Sequence, residues 1–116
     1  MTVKSIDIQE FIPIIREFIL DIANGNYNIL NQKYGHSRVS IDDLKRTIEE
    51  YGNHIIPLPE KAFDSVEKYY IDSEKRIDIY LPLWTKEEGK SDLTLSISCY
   101  NNEPELYIEI NDLRVL

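Results

Sequence analysis

Basic residues are in short supply. Thirteen lysines and arginines stand against 21 aspartates and glutamates, a formal net charge of −8. The cations are scattered singly or in pairs, whereas a chain that grips nucleic acid through its phosphates gathers them on one face. Nucleic acid is therefore not an expected partner. Cysteine is nearly absent. Cys99 alone excludes an intramolecular disulfide and any site built from several thiolates, and a reducing cytosol is the expected compartment. The four glycines stand apart, which excludes a loop that cradles phosphate. The two histidines, His36 and His54, lie far apart, and neither stands in a zinc pattern such as H-E-x-x-H. Glu87, Glu88 and Asp92 lack the alternating ladder of a calcium loop. No metal, no cofactor and no catalytic residue is expected. Long apolar runs are missing too. Phe11 to Ala23 is interrupted by Pro13, Arg16, Glu17 and Asp21, too broken to span a bilayer. The opening "MTVKSIDIQE" has neither the cationic stretch nor the unbroken apolar run of a secretory leader. No membrane partner is expected.

What is present is periodicity, first of one kind and then of another. Ile8, Phe11, Ile12, Ile15, Phe18, Ile19 and Ile22 recur at helical spacing and predict an amphipathic helix ending at Asn24-Gly25. Asp7 with Glu10 resembles a capping pair, yet Pro13 belongs in a first turn, so the helix starts nearer Gln9 or bends at the proline. "NYNILNQKYG" predicts a short second helix closed by Gly35, with Ile29, Leu30 and Tyr34 facing inward. Ser40 predicts the cap of a third helix, with Asp42 and Asp43 in its favourable first turn, Ile41, Leu44 and Ile48 as its buried stripe and Gly52 as its stop.

Pro57 and Pro59 break the backbone, and from there the period is two. Val66–Ile71, Arg76–Leu83, Leu93–Tyr100 and Leu106–Ile110 read as half-polar strands of an antiparallel meander. "DSEK" and "NNEP" are its expected turns and "TKEEGKSD" its one long loop. At 116 residues the chain is expected to form one α+β domain. Residues 1–58 supply helices and 59–116 a three- to four-stranded antiparallel sheet with the helices on one face, a two-layer arrangement of cystatin-like or similar kind. Ile15, Phe18, Ile19, Ile48, Ile79, Leu95, Ile97 and Ile108 are expected in the core. Cys99, on the inward phase of its strand, reads as a small buried hydrophobe.

The candidate site is aromatic. Eight tyrosines outnumber three phenylalanines, and Tyr80, Tyr100 and Tyr107 fall on the outward phase of successive strands. Asp78 and Glu109 share that phase. The acidity is uneven as well: residues 1–58 carry 6 basic and 8 acidic side chains, or −2, and residues 59–116 carry 7 and 13, or −6. An aromatic, acidic sheet face suits a basic protein partner and makes a poor catalytic pocket. The lone tryptophan, Trp84, stands where a strand leaves the sheet. Either its ring covers the sheet end while Gly89 reverses the loop and Ser91 or Asp92 bonds loop amides, or it is a binding anchor ringed by Glu87 and Glu88. The expected interface thus comprises Asp78, Tyr80, Tyr100, Tyr107 and Glu109 with the adjoining Trp84, Glu87, Glu88 and Asp92.

At "PLWTKEEGKSDLTLSI" and the closing "YIEINDLRVL" the chain resembles a family of small uncharacterised bacterial α+β domains. The resemblance extends upstream through "SIDDLKRTIEEYG" and "IPLPEKAF", and covers roughly residues 38–116. In size, acidity and style the chain also resembles the immunity proteins that accompany bacterial polymorphic and contact-dependent toxins. That resemblance implies a cytoplasmic, non-enzymatic protein that neutralises a toxin, for instance a nuclease, by covering its basic active site or mimicking its substrate there. The alternative is a small-molecule-binding or catalytic domain with a pocket between helices and a curved sheet.

Overall fold

In a computed structural model of the chain, which describes residues 7–71, 73, 75–102 and 105–116, helices come first and strands follow. The start is resolved by a change of helix type. Asp7 accepts from the Gln9 amide at 3.0 Å and caps a 3-10 turn, Ile8–Glu10. Helix α1 (Ile12–Ala23) then begins with Pro13 in its first turn, where a missing N–H costs nothing. Ile15, Phe18, Ile19 and Ile22 form its buried stripe, and Phe11, the residue before it, is buried with them.

Helix α2 (Tyr27–Tyr34) buries Leu30 and lays Tyr34 edge-on against Phe18, with ring centroids 5.1 Å apart. Ile29, expected inside, is 41% exposed. It sits one residue, about 100° of helix, from Leu30, and a two-turn helix has room for only one inward stripe. Helix α3 (Ile41–Tyr51) matches its reading throughout. The Ser40 hydroxyl accepts from the Asp43 amide at 3.1 Å, Ile41, Leu44 and Ile48 are buried, and Gly52 ends the helix at φ 86°. Only glycine takes that left-handed conformation cheaply.

Arg16 ties the two halves together. Its guanidinium donates to the Leu58 carbonyl at 2.8 Å and lies 4.9 Å from the centroid of the Phe63 ring, in the 3-10 segment Glu60–Ser65.

The sheet is a four-stranded antiparallel meander in sequential order: β1 (Glu67–Ile71), β2 (Arg76–Thr85), β3 (Gly89–Asn102) and β4 (Glu105–Val115). Val66 precedes the first strand rather than opening it. "DSEK" and "NNEP" lie partly outside the described residues.

The expected long loop at "TKEEGKSD" is a turn of three residues, 86–88. Gly89, at φ 74°, already pairs with Thr85, and Lys90 pairs with Trp84. Between Pro82 and Trp84 the register shifts and β3 bulges. The buried Ser91 hydroxyl repairs the ladder, donating to the Leu83 carbonyl at 2.7 Å and accepting the Leu93 amide at 3.2 Å. A second register shift follows Ser96, where Asn111 is the unpaired residue of β4. That shift explains why Ile110 and Leu113, three apart, both face the core.

The inner face carries Ile77, Ile79, Leu81, Leu83, Leu93, Leu95, Ile97 and Cys99, all fully buried, and the eight core positions expected from sequence are all inside. α1 and α3 lie against β4, and the 60–65 segment against β2. The outer edge of β4 is partly covered, because the Val39 amide bonds the Ile110 carbonyl at 3.3 Å and the Ile110 amide bonds the Ser37 hydroxyl at 3.1 Å. The helical layer leaves β1 bare: Lys68 and Tyr70, on the inner phase opposite Ile79 and Ile77, are exposed.

Candidate protein-binding surface

Among the described residues no helix covers the other face of the sheet, and its composition follows from the strand registers. One cross-strand row runs Tyr69, Asp78, Ser98, Glu109; the next runs Glu67, Tyr80, Ser96, Asp112; Pro82, Thr94 and Arg114 form a third. Arg76, Tyr100 and Tyr107 make the row on the opposite side. Alternation thus brings tyrosines from all four strands to one surface.

They meet in two pairs. Tyr100 and Tyr107, directly opposite in the ladder, stack with centroids 4.9 Å apart and planes 13° from parallel. Tyr69 and Tyr80, diagonal neighbours, meet edge-to-face at 5.8 Å and 85°. Tyr69, Tyr80 and Tyr107 are 53%, 37% and 43% exposed. Rings held by cross-strand partners have little rotamer freedom left to lose, which suits them to binding.

The carboxylates of this face are largely matched within it. Asp78 accepts from Ser98 at 2.7 Å and pairs with Arg76 at 3.0 Å, while Asn111 donates to Ser98 at 2.7 Å. Asp112 pairs with Arg114 at 3.4 Å and Glu109 with Arg38 at 3.9 Å. The face is aromatic and of mixed charge, less uniformly acidic than the strand phases alone imply. Between the Tyr69–Tyr80 corner and the far end of β3 lies an open groove of about 490 Å³, walled by Glu67, Tyr69, Tyr80 and, further along, Lys90 and Arg114.

Glu87 and Glu88, expected in a long loop beside Trp84, bond to the last residue of α3 and the segment after it. Glu87 receives the His54 amide at 2.8 Å through one oxygen and sits 2.6 Å from His54 Nδ1 through the other, and these bonds hold its carboxyl below the usual range. Glu88 accepts from the Tyr51 hydroxyl at 2.6 Å and from the Asn53 side chain, and the first of these bonds pushes the Tyr51 phenol up. Backbone bonds from Ile56 to Trp84 and from Lys86 to His54, each 2.9 Å, complete a strap across the hairpin end.

The Trp84 ring is part of the same closure. It is half-buried against the core, has the Lys61 ammonium 5.2 Å from its centroid and stands where a side chain on Gly89 would touch it. Asp92 is exposed, and its carbonyl accepts the Leu116 amide at 3.0 Å.

Of the nine expected site residues, Asp78, Tyr80, Tyr100, Tyr107 and Glu109 share the open face; Trp84, Glu87, Glu88 and Asp92 lie at or beside the hairpin end. Sequence reasoning missed Glu67, Tyr69, Lys90 and Arg114. The alternation in "EKYYI" held the signal for the first two, but only the β1–β2 register tells which neighbour each faces.

Among the described residues no three His, Cys, Asp or Glu side chains converge on a metal site, and no helix is long and apolar enough to cross a membrane. Cys99 is fully buried, and burial pushes its thiol up to about 12. Neither the curated proteins nor the solved structures contain a match to this chain. Residues 19–116, which include α2, α3 and the entire sheet, match a family model over most of the chain, and the chain accordingly belongs to the family Domain of unknown function (DUF7668).

Proposed function

We propose that the protein acts by binding another protein through the uncovered face of its sheet. In the most specific form of this reading it is a cytoplasmic immunity protein, without enzymatic activity, that covers the basic active site of a toxin. One observation carries the proposal: four strands bring tyrosines to a face that no helix covers among the described residues, and cross-strand partners already hold those rings in place. Interfaces draw their affinity from such desolvated aromatic centres. The net charge of −8 supports a basic partner by steering its approach. Pairing of Asp78, Glu109 and Asp112 with arginines makes that steering a property of the whole molecule more than of the contact face.

The test is affinity capture from the native cell, identification of the bound protein and measurement of its affinity with purified components. Replacing Tyr80 or Tyr107 by Ala should cost on the order of 2 kcal/mol each if the ring is central. Full affinity in the double variant, with loss on a helical-face substitution such as Leu20→Glu, would move the interface to the other layer.

A further inference from the structure

The groove on the open face is electrically two-ended, and that selects its occupant. At one end Tyr69 and Tyr80 stand as two walls of a corner, their planes 85° apart. Glu67 lies directly opposite Tyr80, and Asp78 directly opposite Tyr69. Asp78 is already matched by Arg76 and Ser98. Glu67 is not: among the described residues it has no ion-pair partner and accepts only the Tyr69 hydroxyl, at 3.2 Å, through one of its oxygens. A carboxylate at the hydroxyl of one ring and across the ladder from the other, at a right-angled ring corner, attracts a cation through its own charge and the π-faces that the corner leaves open.

At the other end Lys90 and Arg114 line the groove. Arg114 pairs with Asp112, and Lys90 has no ion pair among the described residues. Lys90 faces Trp84, four residues along β2 from Tyr80, so roughly 13 Å separates the two ends at the rise of a strand.

Resting on the protein-binding reading above, we infer that this groove receives an extended segment of the partner protein, with an arginine or lysine seated at Glu67, Tyr69 and Tyr80 and an acidic side chain four residues away at Lys90. A strand-like segment spans the same roughly 13 Å in four residues, which matches the charge separation. A small zwitterion is too short to satisfy both ends. A nucleic-acid backbone would meet Lys90 and Arg114 favourably but be repelled by Glu67 and Asp78.

The probe is a set of acetylated, amidated seven-residue peptides on a serine background, titrated into the isotope-labelled full chain and followed by amide chemical shifts. With Arg second and Glu sixth, saturable shifts should appear at 67–69, 78–80 and 90. The Arg–Arg and Glu–Glu versions should bind more weakly, and added salt should weaken the best peptide. Glu67→Gln and Lys90→Met should each weaken it by about two- to fivefold, the upper part of the range for an exposed ion pair, with the spectrum otherwise unchanged.

Equal binding of the Arg–Arg peptide, or no saturable shift with any peptide, overturns the inference. The two readings fail separately. A captured partner that is lost by Tyr107→Ala but indifferent to Glu67→Gln and Lys90→Met keeps the open face as interface and removes the two-ended groove. A captured partner indifferent to every open-face substitution removes both.

Discussion

Ser91→Ala is the perturbation that most directly tests why the hairpin is built as it is. The hydroxyl bridges a bulge by donating to the Leu83 carbonyl at 2.7 Å and accepting the Leu93 amide at 3.2 Å. Leu83 and Leu93 are both fully buried, and Ser91 is nearly so. Removing one oxygen therefore takes a partner from a buried donor and another from a buried acceptor, where water does not reach. Each such loss costs about 1–3 kcal/mol, and the volume vacated by a hydroxyl is too small to admit a water that would bond both. The expected loss is about 2–4 kcal/mol, a fall in Tm of roughly 10–15 °C for a chain of this length. Urea unfolding followed by circular dichroism measures it, with Ser96→Ala on the open face as the control expected within ~0.5 kcal/mol. The Leu93 amide should also exchange with solvent faster in the variant. A loss below about 0.5 kcal/mol with an unchanged m-value would mean that the bulge is held by its neighbours and that the hydroxyl is incidental.

Three further outcomes follow from the interior and the strap. Phe18→Ala, which empties a fully buried site against Tyr34, should cost about 3–5 kcal/mol in the same unfolding assay. The Glu87 carboxyl is held below its ordinary value of 4.5 by the His54 side chain and amide, so its contribution is present above that value and is lost as pH falls through the lowered one. The protection of the His54 amide, measured as its exchange rate relative to the unstructured rate at the same pH, should therefore fall in that acid window in the wild-type chain, and Glu87→Gln should remove that dependence. The Cys99 thiol, pushed up to about 12 by burial, should resist a thiol reagent in the folded chain at mildly alkaline pH and react at once in urea.

The helices were legible because their signals are local. Ser40 and Gly52 bracket α3 within a dozen residues, and the stripe between them has one period. Strand phase is equally local, and Ile79, Leu95, Ile97 and Ile108 are accordingly buried while Tyr80, Tyr100 and Tyr107 lie on the outward phase. The start of β3 was not legible. Lys90, Ser91 and Asp92 read as loop, since nothing in periodicity marks a serine whose hydroxyl substitutes for a ladder bond. Ile29 failed because an apolar residue on a short helix is no guarantee of an inward one. At the site the missing information was long-range. Glu87 and Glu88 find their partners 33 to 37 residues earlier in the chain, and no spacing rule links those positions. The Tyr69–Tyr80 corner needs the β1–β2 register, which depends on the turn between them.

The bare inner side of β1 has a consequence for energetics. With Lys68 and Tyr70 exposed, the strand is held by its ladder to β2 and the buried Val66 before it, with almost no apolar area beneath. Segments of that kind open at far lower free energy than the interior strands beside them. Glu67 and Tyr69 ride on this easily opened strand, while Tyr80 is on a strand anchored by the core. An occupant of the groove therefore binds only the zipped form of β1 and, by linkage, protects it. Binding would be read out as slowed exchange along Glu67–Ile71, and any substitution that loosens β1 would weaken the partner without touching it.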